Sequence, residues 1–193
     1  MVKKVIISGL SGGIVLLIWT FVVNAIFGFH NRMEMKQIPN ERQVYEILKE
    51  NIVEPGKYIC NPDLTSEGRF PDNEPVFSVL YGGAGHESAG EMMLVELLIF
   101  FLASITATWL LSQASPKVLS SYPRKVLFFT AIGLLFALFG DLNNFGIGNY
   151  PLHDALIHAV YDICVWTLIG LVVAWQMKSE KDVETNSQPI QYD

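Results

Sequence analysis

Charge is scarce in this sequence, and its distribution says more than its amount. Only 17% of the 193 residues are Asp, Glu, Lys or Arg, against about 25% in a soluble domain. The basic residues form no stripe or cluster that could follow a phosphate backbone, so nucleic acid is excluded as a partner. Cysteine is nearly missing as well. Cys60 lies in a polar stretch and Cys164 in an apolar one, with no CxxC pair or disulfide framework, and two free thiols are expected. No P-loop, GxGxxG, G-x-S-x-G or HExxH motif occurs, nor the clustered histidine boxes of a membrane di-iron enzyme. Enzymes with a legible catalytic motif are thereby set aside.

What is abundant is apolar sequence, 51% of the chain, and it comes in blocks. About twenty residues cross the hydrocarbon layer as a helix. Val5–Phe29 carries no charge and is long enough alone. Leu97–Pro116 is also uncharged, and Ser88-Ala89-Gly90-Glu91 has the spacing of a capping box just before it. A third, shorter span follows Arg124-Lys125 and covers Val126–Leu142. A fourth starts near Pro151, a favourable first-turn residue, and runs to about Met177. The expected fold is an all-α membrane protein, a four-transmembrane-helix bundle with a small extracytoplasmic α+β insertion between helices 1 and 2. Its segments are helix 1 at 1–29, the insertion at 30–89, helices 2–4 at 90–177 and a disordered tail at 178–193.

Lysine and arginine placement sets the orientation. Lys3 and Lys4 precede the first span, Lys117, Arg124 and Lys125 lie between the second and third, and Lys178 and Lys181 follow the fourth. The loop Asn143–Leu152 has neither. Both termini are expected in the cytoplasm, in a multi-pass protein of a membrane such as the bacterial inner membrane. A cleaved signal peptide competes for the first span, with Lys3-Lys4 as its basic start and Val23-Asn24-Ala25 as its end. The apolar run exceeds the 7–15 residues of such a segment. Ser8, Gly9, Gly12 and Gly13 form two overlapping small-xxx-small pairs. That spacing invites close approach of another helix, from this chain or from a partner.

Within 30–89, Asn40 and Gln43 have the spacing of a helix start, and Val44, Ile47, Leu48 and Ile52 continue an apolar stripe over about 40–52. Pro55-Gly56 ends it. Lys57–Cys60 and Val76–Tyr81 are strand candidates. A piece this small cannot bury a core of its own and is expected to rest on the bundle or on a partner.

The chemistry-bearing residues gather at one depth. Lys125 and Asp141, Asp162 and Lys178, and Glu96 and Ser112 are each sixteen positions apart. At 1.5 Å per residue each acid lies roughly 24 Å from the inner boundary of a ~30 Å core. Asn24 lies slightly further out, and His30, His86, His153 and His158 all fall near the same boundary. Asp154, His158 and Asp162 are spaced i, i+4, i+8 and share one helix face.

A carboxylate in hydrocarbon costs a few kcal/mol even on the milder scales, so these groups are expected to face the interior, water or a partner. The simplest reading is a hydrogen-bonded layer of Asn24, Glu96, Asp141, His158 and Asp162 that fixes helix packing. A second is a divalent transition-metal site of His158 with Asp154, Asp162, Asp141 or Glu96, and His86 beside them. A third is proton or cation handling by the same acids and imidazole. Haem would need a second axial histidine from His86 or His30. A through-path is disfavoured, since the cytoplasmic halves hold only Ser, Thr and Gly as polar steps. The four tryptophans are expected as interfacial anchors or core filling. The favoured function is a non-enzymatic membrane subunit or accessory protein, embedded in the lipid bilayer and joined to a membrane-protein partner or to copies of itself. The alternative is a metal- or proton-binding transporter or enzyme.

Overall fold

The computed structural model describes residues 1–29, 32, 36–83, 89–148 and 150–177, with the backbone alone at 89–92 and 146–148. His30, His86, the Ser88–Glu91 capping box, Lys178, Lys181 and the tail fall outside the described side chains. Four helices are long and apolar enough to cross a membrane: Val2–Phe27, Met93–Ser112, Tyr122–Phe145 and Leu152–Gln176. A small two-stranded sheet lies between the first and second.

Helix α1 (Val2–Phe27) carries no charge after Lys4 and no proline, and it stops at Gly28, whose φ of 59° is left-handed. Its small face is the packing face. Ser8, Gly9, Gly12 and Gly13 are buried, and their neighbours belong to this chain. A Cβ at Gly9 would sit 2.6 Å from the Ile105 Cα, and one at Gly13 would meet the Phe101 ring. At Gly12 it would meet Ser104 Oγ and lie 2.9 Å from Ile169. Thus α3 (Ala89–Ser112) and α7 (Leu152–Gln176) both seat on the glycine face, and α1 packs inside the chain through it. On α3 the buried stripe is Ser104, Ala107, Thr108 and Leu111. Thr108 Oγ1 donates to the Ser104 carbonyl at 2.8 Å, so its hydroxyl needs no other partner.

The short α4 (Pro116–Leu119) links α3 to α5 (Tyr122–Phe136), with Pro123 in the first turn of the latter. The third span therefore starts four residues before the predicted Val126. Lys125, expected as a boundary cation, is instead 2% exposed. Its Nζ donates to the Met177 carbonyl at 2.8 Å, at the C-terminal end of α7, where free carbonyls and the helix dipole favour a cation. After α5 the helix winds through a π turn, Ala137–Asp141, and continues as α6 (Leu142–Gly148).

Helix α7 lies between α1 and α5. Its approach to α5 depends on two reciprocal glycines: Gly133 faces the Asp162–Trp166 backbone, and Gly170 faces Phe129. Between them Trp166 stacks on Phe136 at 5.5 Å and on Phe129 at 6.4 Å. The core comprises Phe129, Trp166, Ile169, Val173, Val165, Leu111, Ala107, Leu16, Val5 and Met177.

The segment 31–89 is a separate compact unit. It contains α2 (Glu41–Asn51) and an antiparallel pair, β1 (Gly56–Cys60) and β2 (Phe77–Tyr81), in register Gly56 with Tyr81 and Cys60 with Phe77. Asn40 precedes α2 in a left-handed conformation with no side-chain cap bond. Its carbonyl, not its amide, receives the first-turn N–H groups of Gln43 and Val44, so the expected capping box is not formed. No described residue from 36 to 83 is fully buried.

Candidate functional site

The long helices run antiparallel to their neighbours, and named contacts give their relative heights. Gln176 Nε2 donates to Ser11 Oγ at 2.9 Å near the end where α1 starts, the proximal end. At the distal end Thr20 Oγ1 and the Tyr161 hydroxyl share a hydrogen bond of 3.1 Å. Between α5 and α7, Thr130 and Thr167 hydroxyls meet at 2.9 Å. Continuing that register sets the π turn opposite Leu156–Val160, with His158 at the centre.

Winding explains how Asp141 comes to face α7. The residues of α5 that meet α7 are Lys125, Phe129 and Gly133, followed by Ala137 in the π turn, all buried and four apart. In an α-helix each step of four overshoots a full turn by about 40°, so Asp141 would end up about 160° from Lys125. In the π turn the Leu142 N–H bonds to the Ala137 carbonyl, five residues back. One residue extra in a turn winds the chain back by about 100°, leaving Asp141 roughly 60° from the Lys125 line. Asp141 is half-buried, its Oδ2 atom is fully buried, and that oxygen has no hydrogen-bond partner among the described residues.

Across from it lie the acids and the imidazole of α7. Asp141 is close enough to both His158 and Asp162 for their charges to act on one another. The Tyr150 hydroxyl reaches His158 Nε2 at 3.4 Å, in a direction that depends on the imidazole tautomer. Asp154, one turn more distal, is 5% exposed. Aromatic rings collar the group. Left-handed Gly28 turns the chain so that Phe29 stacks on Tyr161 at 5.3 Å and meets His158 edge-on at 5.1 Å. Trp19 lies 6.2 Å from Tyr161, and its buried indole Nε1 has no acceptor among the described residues.

No family model, curated protein or solved structure matches this chain. Its chemistry is therefore argued from its own residues.

Of the residues singled out by spacing, Asp141, His158 and Asp162 come together, with Asp154 buried on the same helix. Asn24 and Glu96 are both exposed, and Glu96 does not join them. Glu96 has the expected height, level with Ile18 when the Gly13–Phe101 register is extended, but no described residue covers it. Among the described residues no three His, Cys, Asp or Glu side chains are gathered so as to hold a metal ion. His153 is exposed at the start of α7. The collar residues Tyr150, Tyr161, Phe29, Trp19 and Thr20 belong to the site too.

Proposed function

We propose that this chain is a non-enzymatic subunit or accessory protein of a larger membrane assembly. It spans the bilayer four times with both termini cytoplasmic, and the 31–89 unit meets a partner on the outside. The observation that carries this reading is the state of that unit. None of its described residues from 36 to 83 is buried, and Phe77, Leu80, Ile59 and Val53 are 58%, 80%, 54% and 78% exposed. A two-stranded hairpin is marginal in water unless it packs against something, and an apolar surface of this kind marks an interaction site. The polar layer suits the same reading. The Tyr150 hydroxyl meets His158 on α7, and Asp141 of the π turn lies near His158 and Asp162; polar contacts of this kind fix how membrane helices pack.

Extraction from native membrane in polymer-bounded lipid discs tests this. The particle should exceed the 21.6 kDa chain by the mass of a stoichiometric partner. A photoreactive residue at position 80 should crosslink to that partner, and Leu80→Glu should weaken the association. Recovery as a stable monomer, with no crosslink from position 80, refutes the proposal.

A second reading, proton or cation handling at Asp141, His158 and Asp162, is favoured by the buried, unpartnered Oδ2 of Asp141. Buried carboxyl oxygens rarely lack a partner, and the exceptions often have a function. Infrared difference spectra across a pH titration test it. A carboxyl band that Asp141→Asn removes supports the reading, and a spectrum unaltered by that change ends it.

A further inference from the structure

The face of α3 that packs well at one end is bare at the other. Ser104, Ala107, Thr108 and Leu111 are each 3% exposed or less. Glu96 lies eleven residues before Ala107, about three turns, and so within about 20° of the same direction. It nevertheless stands exposed, as do Met93, Leu94, Val95, Leu98 and Ile99, at 56–69%. The cause is in α1. Its close approach to α3 uses Gly9, Gly12 and Gly13, and beyond Gly13 the same helix carries Leu16, Trp19 and Thr20. Side chains then replace backbone at the contact, and α3 loses its cover.

Bare leucine and valine need nothing from hydrocarbon, but a carboxylate does. Glu96 makes no hydrogen bond or ion pair with any described residue, and it lies in the first turn of the apolar span Met93–Ser112. Side chains on a helix tilt toward its N-terminus, so the carboxylate leans toward the distal boundary, on the side of Met93. Ionisable groups at such depth pair with one another or mark a functional contact.

We infer that the distal half of α3 is the docking face for one transmembrane helix of a partner protein. That helix carries a lysine or arginine in its outer turns, and the cation pairs with Glu96. The partner is chosen by charge complementarity: the stripe offers one anion on an otherwise apolar strip. A second copy of this chain would bring Glu96 against the same apolar strip or against another Glu96. The inference rests on the accessory-subunit reading and names the chemistry of the partner.

The test uses the full chain in vesicles of phosphatidylcholine, with fluorescence transfer to synthetic single-span leucine peptides. One peptide carries a lysine one turn below its outer end, and its twin carries leucine there. The lysine peptide should associate about tenfold more tightly, the scale of one polar contact between membrane helices. Glu96→Gln should erase that preference, and Glu96→Asp should keep part of it. Equal association of the two peptides overturns the inference, as does a preference that survives Glu96→Gln. Loss of the preference when phosphatidylethanolamine is added assigns Glu96 to a lipid ammonium and also overturns it. Failure of the underlying reading looks different: the native particle is then a monomer, whatever the peptides do. If the native assembly persists with Glu96→Gln and the peptides bind alike, the reading stands and this docking face falls.

Discussion

Replacing Gly133 by alanine probes the closest contact of α5 with α7. A Cβ there would stand 2.9 Å from the Asp162 carbonyl oxygen, 2.9 Å from the Trp166 Cβ and 3.0 Å from the Ile163 Cα. Two of these are backbone atoms and the third is fixed to backbone, so none can swing aside as a long side chain would. Ordinary contact begins near 3.4 Å, and the helices must part by about half an ångström at this level. Overpacking of this kind costs about 1–3 kcal/mol. In water, alanine would recover up to about 1 kcal/mol of helix propensity. In a bilayer the separated helices stay helical, since the backbone has no other partner, and most of that gain disappears. Gly133→Ala should therefore lower stability by about 1–3 kcal/mol in a reversible unfolding titration from mild to denaturing detergent. The stack of Trp166 on Phe136 should loosen with it and shift the tryptophan emission. Gly140 is the control, because a Cβ there meets nothing within 4 Å. Gly133→Ala as stable as the parent, with unchanged emission, would refute this account of the α5–α7 contact.

Other perturbations follow from the same packing. Gly9→Val should destabilise the chain independently of protein concentration, because the Ile105 backbone it displaces belongs to the same molecule; a dilution-dependent loss would mean the glycine face joins separate chains. Lys125→Met should cost about 1–3 kcal/mol by leaving the buried Met177 carbonyl without its donor, and thermal unfolding in detergent would register this. Deleting Phe139, 78% exposed in the π turn, should let the turn close as α-helix with Asp141 still toward α7. Its cost should stay near 1 kcal/mol or below, whereas deleting Leu134 misplaces Ala137 and should cost several times more. Equal losses from the two deletions would contradict the winding argument.

The long helices are legible in the sequence because span length and hydropathy are local properties, and so are the strands, bounded as they are by Pro-Gly and polar runs. Lys125 is not. Basic residues at the end of an apolar run usually mark the membrane boundary, but Pro123 starts this helix early enough to put Lys125 inside it. Its long side chain then reaches the end of another helix, a partner fifty-two residues away that no window contains. Gly133 and Gly170 escape notice for a related reason. Each is followed four residues on by an alanine, Ala137 and Ala174, but a single Gly-xxx-Ala pair is a weaker mark than the overlapping pairs of Ser8, Gly9, Gly12 and Gly13, and only the crossing of two helices gives it a role. Capping at α2 fails differently. Asn40 stands at the expected position, but its left-handed backbone turns the amide away from the helix it precedes.

Depth and direction separate in the polar layer, and that separation divides its acids. Depth follows from counting, since each residue advances the helix by about 1.5 Å, and counting sets Glu96, Asp141 and Asp162 at one height. Direction depends on winding and on neighbours. On a regular helix Asp141 would lie about 160° from Lys125, and one extra residue in the turn before it winds it back by about 100°. Glu96 already points along the packed face of α3, but the glycines of α1 that allow close approach end before its level. An acid drawn inward by a π turn and an acid left bare where cover runs out are unlike in what they require. The first is turned toward His158 and its collar of rings, with one buried oxygen unpartnered among the described residues. The second meets no partner among the described residues, and a carboxylate left unpaired in hydrocarbon costs a few kcal/mol.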